Sequence, residues 1–133
     1  MTTVYASLAN GGMAIRPYGI TKIVSAKGDL YYSRPPNKGA MRVVSPQNVN
    51  TLTLMMQNVI EYGTGQRAKL GYPAYGKTGT SQDSRDAWFI GFTPELATAV
   101  WMGNDDNSPM KRVTGGSFPA DVWKIVMANA HGK

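Results

Sequence analysis

Gly76-Lys77-Thr78-Gly79-Thr80-Ser81-Gln82-Asp83-Ser84-Arg85-Asp86-Ala87-Trp88-Phe89-Ile90-Gly91-Phe92-Thr93-Pro94 decides how this chain folds. From Asp86 to Thr93, Trp88, Ile90 and Phe92 fall on one face and Ala87 and Phe89 on the other. Apolar groups on both faces predict a central strand covered on two sides. Thr93-Pro94-Glu95 turns the chain, and Ala97 to Met102 supplies a second strand, so the pair reads as an antiparallel hairpin. Upstream, Lys77-Thr78-Gly79 with Thr80 opens a further strand, expected at the margin of the same sheet.

Working outward, Pro119 opens a last helix with Val122, Ile125, Val126 and Ala130 periodic. On the other side, Ser45-Pro46 is a helix start, because Ser can cap and Pro suits the first helical position. Val49, Leu52, Met56, Val59 and Ile60 then form a stripe at helical spacing, with Met55 beside it, which reads as packing surface. Gly63-Thr64-Gly65 ends that helix, and Gly71 to Gly76 is a loop. Thr2 to Ala9 reads as a short helix with Val4, Tyr5, Leu8 and Ala9 on one face, stopped by Asn10-Gly11-Gly12. Ile20 to Val24 and Leu30 to Tyr32 read as a hairpin turning at Lys27-Gly28-Asp29, followed by the loop Arg34-Pro35-Pro36-Asn37-Lys38-Gly39. The sum is an α+β chain, an antiparallel sheet flanked by helices.

Composition narrows the function classes. The chain has 133 residues, 42% of them apolar and 17% charged, which fits one domain and excludes a disordered tail. No stretch approaches the ~20 apolar residues of a membrane span, so no membrane contact is expected of this segment. The Met1-Thr2-Thr3-Val4-Tyr5 start lacks the basic and apolar regions of a signal peptide. Zero cysteines exclude disulfides and thiolate zinc sites. The one histidine, His131, speaks against a histidine-based triad or a multi-histidine metal site, and no metal or cofactor is expected. The net charge is +6, but the cations are scattered singly except for Lys111-Arg112. That pattern is a solvated basic surface, not a nucleic-acid face.

Four local motifs compete. Gly71-Tyr72-Pro73-Ala74-Tyr75-Gly76-Lys77-Thr78 satisfies the phosphate-loop pattern, which would make the chain a nucleotide binder. That mechanism needs a strand before the loop and a helix directly after Lys-Thr, whereas Gly79 follows at once and the next stretch reads as strand. The same lysine and threonine, on the rim of an antiparallel sheet beside a cleft, can hold an anionic substrate. Gly79 there lets a ligand approach the backbone, and an adjacent N–H can face a developing oxyanion. Ser108-Pro109-Met110-Lys111 has the spacing of a nucleophile and its lysine, but lies in a polar loop without a helical stripe. Asp105-Asp106 is a paired carboxylate without further ligands and reads as a solvated turn.

The stretch from Gly76 to Pro94 resembles the signature of bifunctional (class A) penicillin-binding proteins, whose K-T-G accompanies S-x-x-K and a Ser-x-Asn element. The likeness continues through Val100 to Asn107, Val113-Thr114-Gly115-Gly116 and Phe118 to Trp123. Upstream it takes in Tyr5 to Gly12 and the Gly63-Thr64-Gly65 helix end, so nearly the whole chain is covered in the family's order.

The resemblance implies the C-terminal part of a β-lactamase/transpeptidase-like fold. Residues 1–133 would be one partial D,D-transpeptidase domain, with helices and a hairpin in 1–70 and the sheet and last helix in 71–133. It implies that Lys77, Thr78 and Gly79 are the strand binding a peptidoglycan stem peptide or a β-lactam. Thr80 would contribute its backbone N–H to the oxyanion hole. The acylatable serine, its lysine and the Ser-x-Asn element would then lie outside this chain, in the N-terminal half of the same domain, since no S-x-N occurs here. The resemblance also implies a place on the periplasmic side of the inner membrane. The rival expectation is a non-catalytic interaction module. Trp88, Phe89, Phe92, Trp101 and Trp123 are expected in the core.

Overall fold

A computed structural model describes residues 1–36 and 40–132. Asn37, Lys38 and Gly39, the end of the expected proline loop, lie outside the described residues. The elements in chain order are α1 (Thr2–Ala9), β1 (Lys22–Val24), β2 (Leu30–Ser33), α2 (Pro46–Glu61), β3 (Tyr75–Thr80), β4 (Asp86–Phe92), β5 (Ala97–Gly103) and α3 (Phe118–Ala130). β1 and β2 pair as a separate two-stranded ribbon, and the main sheet has the order β3-β4-β5. All its pairings are antiparallel, with Thr78 opposite Phe89 and Phe89 opposite Val100. The α+β architecture expected from the sequence is the one observed.

β4 is central, as its two-sided apolar pattern requires, and its alternation divides the core. Phe89 points to a cluster with Ile60, Ala68, Ala74, Ala120, Trp123 and Met127. Phe92 joins a second cluster with Leu8 and Val49, flanked by Tyr5, Met56 and Tyr75. α2 therefore feeds both clusters, Val49 near its start and Ile60 near its end. Its start is fixed as the sequence dictates: the Ser45 hydroxyl accepts the Asn48 N–H at 3.3 Å, and Pro46 occupies the first turn. The ribbon β1–β2 is exposed along both strands.

Three expectations are corrected. α3 buries Ala120, Trp123 and Met127 and leaves Val122, Ile125 and Val126 exposed, because the helix is apolar on two faces and periodicity alone cannot choose between them. The side that wins carries the indole, whose Nε1 donates to the Thr98 carbonyl at 3.1 Å and whose rings lie 5.1 Å from Phe89. The α2 stripe is only partly inside: Leu52 and Met55 face solvent while Val49 and Ile60 are buried. Trp101 is not core. It is 45% exposed, 6.3 Å from the Trp88 rings, and donates its indole N–H to Asp86 Oδ1 at 3.0 Å.

Candidate functional site

Among the described residues β3 has β4 on one side and no strand on the other. The direction of its backbone groups follows from the ladder. Just beyond Thr80–Ala87, the Ser81 N–H donates to the Asp86 carbonyl at 2.9 Å. In an antiparallel pair, hydrogen-bonded and non-bonded positions alternate. Gly79 and Lys77 therefore bond β4, and Thr78 and Thr80 turn their N–H and C=O groups to the open edge. The Thr78 carbonyl is found there, accepting from Lys77 Nζ at 2.9 Å. Lys77 and Thr80 are exposed, and Thr78 and Gly79 half-buried.

The lysine ammonium also approaches Thr78 Oγ1 at 3.4 Å, and that hydroxyl lies 2.7 Å from Thr64 Oγ1. An ammonium, two hydroxyls and an unpaired strand edge thus converge. Positive charge with several donors in one place suits a carboxylate, and an outward N–H two residues on suits a polarised carbonyl oxygen. The structure brings Lys77, Thr78, Gly79 and Thr80 together on one edge. Thr64 is the member that sequence reasoning missed. Its only signal was Gly63-Thr64-Gly65, read as a helix stop, and nothing local says that this turn reaches a strand 14 residues on.

The loop before α3 closes on the same strand from one face. The Gly115 N–H donates to Thr80 Oγ1 at 3.0 Å. A Cβ at Gly115 would lie 2.2 Å from the Trp88 carbonyl oxygen and 2.6–2.7 Å from the backbone of Gly79. One at Gly116 would lie 2.1 Å from the Thr64 carbonyl oxygen. Thr114-Gly115-Gly116 is therefore glycine-rich because three backbones touch there. Ser117 completes the turn, its hydroxyl donating to the Thr114 carbonyl at 2.7 Å.

The competing motifs resolve by geometry. Strand β3 runs through Lys77 and Thr78, so no helix follows Gly76 and the phosphate-loop arrangement is absent. Ser108 and Lys111 lie in an irregular loop, not one helical turn apart. Asp106 accepts the Ser108 N–H at 3.0 Å, and bonds to Ser108 hold its carboxyl below the usual aspartate range. Among the described residues no group of acidic or histidine side chains could hold a metal ion.

His131 does meet a hydroxyl and a carboxylate: Nε2 is 3.0 Å from Thr93 Oγ1, and Nδ1 is 3.3 Å from Glu95. Thr93 is buried at 1% exposure, and its oxygen also accepts the Glu95 and Leu96 N–H groups at 3.4 and 3.3 Å. This trio locks the β4–β5 turn to the end of α3 and leaves no hydroxyl free to attack a substrate.

The family model described as the penicillin-binding protein transpeptidase domain matches residues 1–127. Penicillin-binding protein 1A of Clostridium tetani is 36% identical over 98% of this chain and 17% of its own length. The Mycolicibacterium smegmatis protein of the same name is 30% identical over 98% of this chain and 18% of its own length. Among solved structures, the penicillin-binding protein PonA1 of Mycobacterium tuberculosis superimposes with a TM-score of 0.86 at 30% identity, covering 97% of this chain and 37% of that one. The imipenem acyl-enzyme complex of penicillin-binding protein A from M. tuberculosis gives 0.76 at 27% identity, covering 98% and 30%. The chain thus spans less than a fifth of the two curated relatives. A match running through α1, α2, the ribbon, the whole three-stranded sheet and most of α3 leaves one assignment: this chain belongs to the penicillin-binding protein transpeptidase family.

Proposed function

We propose that this chain supplies the carboxylate-binding strand of a D,D-transpeptidase, which cross-links peptidoglycan stem peptides by acyl transfer on the periplasmic side of the inner membrane. The observation that carries the proposal is the direction of the β3 edge, with Lys77 Nζ and the Thr78 hydroxyl beside the outward N–H of Thr80. Lys77 and Thr78 hold the terminal carboxylate of a stem peptide, or the equivalent group of a β-lactam. Thr80 N–H faces the carbonyl oxygen as negative charge develops on it. The acylating serine, its lysine and the Ser-x-Asn element come from other polypeptide, the N-terminal half of the same domain. The acyl-enzyme formed by penicillin-binding protein A of M. tuberculosis with imipenem supports the β-lactam part of this reading.

Gly79 provides a sharp test. A Cβ there would meet only Trp88 Cβ, at 3.4 Å, an ordinary contact. Gly79→Ala should therefore leave the thermal midpoint nearly unchanged while blocking close approach of a ligand to the strand. Amide shifts of Lys77–Thr80 in ¹⁵N spectra, followed during titration with benzylpenicillin, read the binding. Lys77→Gln should weaken it about 10- to 100-fold, the worth of a charge-assisted contact. Shifts that avoid these four amides, or binding indifferent to both substitutions, would overturn the proposal. A fluorescent penicillin should leave no denaturation-resistant adduct on this chain; a stable adduct would place the nucleophile within it.

The same reading accounts for apolar groups left outside. Phe118 and Ile125 on α3 and Leu54 and Met55 on α2 are 54–62% exposed. Faces of this kind mark interaction surfaces, and the remainder of a transpeptidase domain is the partner proposed for them. Alone, the chain should elute earlier in size exclusion as its concentration rises. A concentration-independent monomer would count against a partner-seeking surface.

A further inference from the structure

The charge that looks scattered in sequence is uneven once counted by region. Arg16, Lys22, Lys27, Arg34, Lys38 and Arg42 stand in residues 1–60 with a single carboxylate, Asp29, which places five of the six net positive charges there. In the sheet half, Arg67, Lys69 and Arg85 pair with Asp121, Glu61 and Asp83. Among the described residues Arg16 and Arg34 have no acidic partner, and Asp29 is bonded to the Ser25 hydroxyl at the turn of the ribbon.

Both arginines line a cleft of about 600 Å³ at the base of the ribbon, with Tyr18, Tyr32, Pro35 and Met41. Arg34 is held in place: its guanidinium carbon lies 3.5 Å from the Tyr18 ring centroid, and Nη2 donates to the Arg16 carbonyl at 3.4 Å. A guanidinium has five N–H donors, so most of those on Arg34 remain for a ligand. Stacking on tyrosine fixes the fork before anything binds, which lowers the ordering cost. The cleft volume is that of a small-ligand site. Its walls are rings, a methionine and prolines, so the fitting ligand carries hydrocarbon beside its negative charge, as glutamate and aspartate do.

We propose that this cleft binds an acidic peptide, its carboxylates held by Arg16 and Arg34 and its aliphatic portions by Tyr18 and Tyr32. None of the lining residues belongs to β3, and the proposal stands whatever the Lys77–Thr80 edge does. The free edges of the two-stranded ribbon offer main-chain pairing to an extended peptide as well.

Fluorescence anisotropy of a labelled peptide alternating Glu and Leu, titrated with the whole chain, tests this. Arg16→Gln, which removes no side-chain bond among the described residues, should weaken binding about tenfold. The double variant with Arg34→Gln should weaken it further, while the far-ultraviolet dichroism of both variants stays unchanged. Lys111→Gln with Arg112→Gln removes the same net charge elsewhere and should leave the affinity intact. Equal losses in the two double variants would reduce the effect to diffuse charge and overturn the proposal. So would equal binding of the Gln–Leu peptide, or displacement by inorganic phosphate at the concentration at which free glutamate competes.

Discussion

Trp123→Ala is expected to remove a large share of the chain's stability. The indole is fully buried at the centre of the cluster that joins α3, α2 and β4. Truncating a buried tryptophan costs about 3–5 kcal/mol through lost transfer energy and the cavity left behind. The indole N–H bond to the Thr98 carbonyl disappears as well, adding about 1–3 kcal/mol if that oxygen stays buried without a donor. Small domains hold only about 5–15 kcal/mol in all. Urea unfolding followed by dichroism reads the loss. Trp123→Phe should cost less, because it retains a ring against Phe89 while losing the N–H and the smaller part of the indole's bulk. A midpoint unmoved by Trp123→Ala would mean that α3 does not hold the sheet.

Gly115→Ala should be among the most damaging glycine-to-alanine substitutions in the chain. The added methyl meets three backbone atoms, the Trp88 oxygen and the nitrogen and oxygen of Gly79, and none of them can swing aside as a side chain would. Overpacking of this kind costs about 1–3 kcal/mol and sometimes more. Either the 114–117 loop lifts, breaking the Gly115 N–H bond to Thr80 Oγ1, or β3 shifts against β4. Ligand-induced shifts at Thr80 should therefore vanish together with the loss of stability. Gly71→Ala is the control: its Cβ would meet nothing within 4 Å, so the thermal midpoint should stay put. Equal midpoints for both variants would show that the loop yields freely and does not brace the strand.

Much of this arrangement could be read from residue order alone. The bounds of α1 and the start of α2 follow from local chemistry: a glycine pair after Ala9, and a Ser-Pro cap before Gln47. β4 announced its central place because Ala87 and Phe89 are apolar opposite Trp88 and Ile90. What stayed hidden needed the third dimension. α3 offers two apolar stripes, and only the sheet decides which one is inside. Trp101 is apolar in bulk, yet its N–H finds Asp86 at the surface. The Lys77–Thr80 motif was visible in one line of sequence, but the approach of Thr64 and Gly115 joins segments separated by 14 and 35 residues. Charge balance was equally opaque: whether a cation is neutralised depends on which carboxylates fold beside it.

The far rim of the main sheet is β5, Ala97-Thr98-Ala99-Val100-Trp101-Met102-Gly103, seven residues with neither charge nor proline. Soluble proteins commonly guard such a rim with lysine, a bulge or a covering segment. Left bare, its row of amides and carbonyls is a template on which another copy can lay a strand, and growth from that template has no natural end. Concentrated solutions of the chain by itself should therefore drift toward fibrous material, and whatever normally sits beside β5 acts as its guard against it.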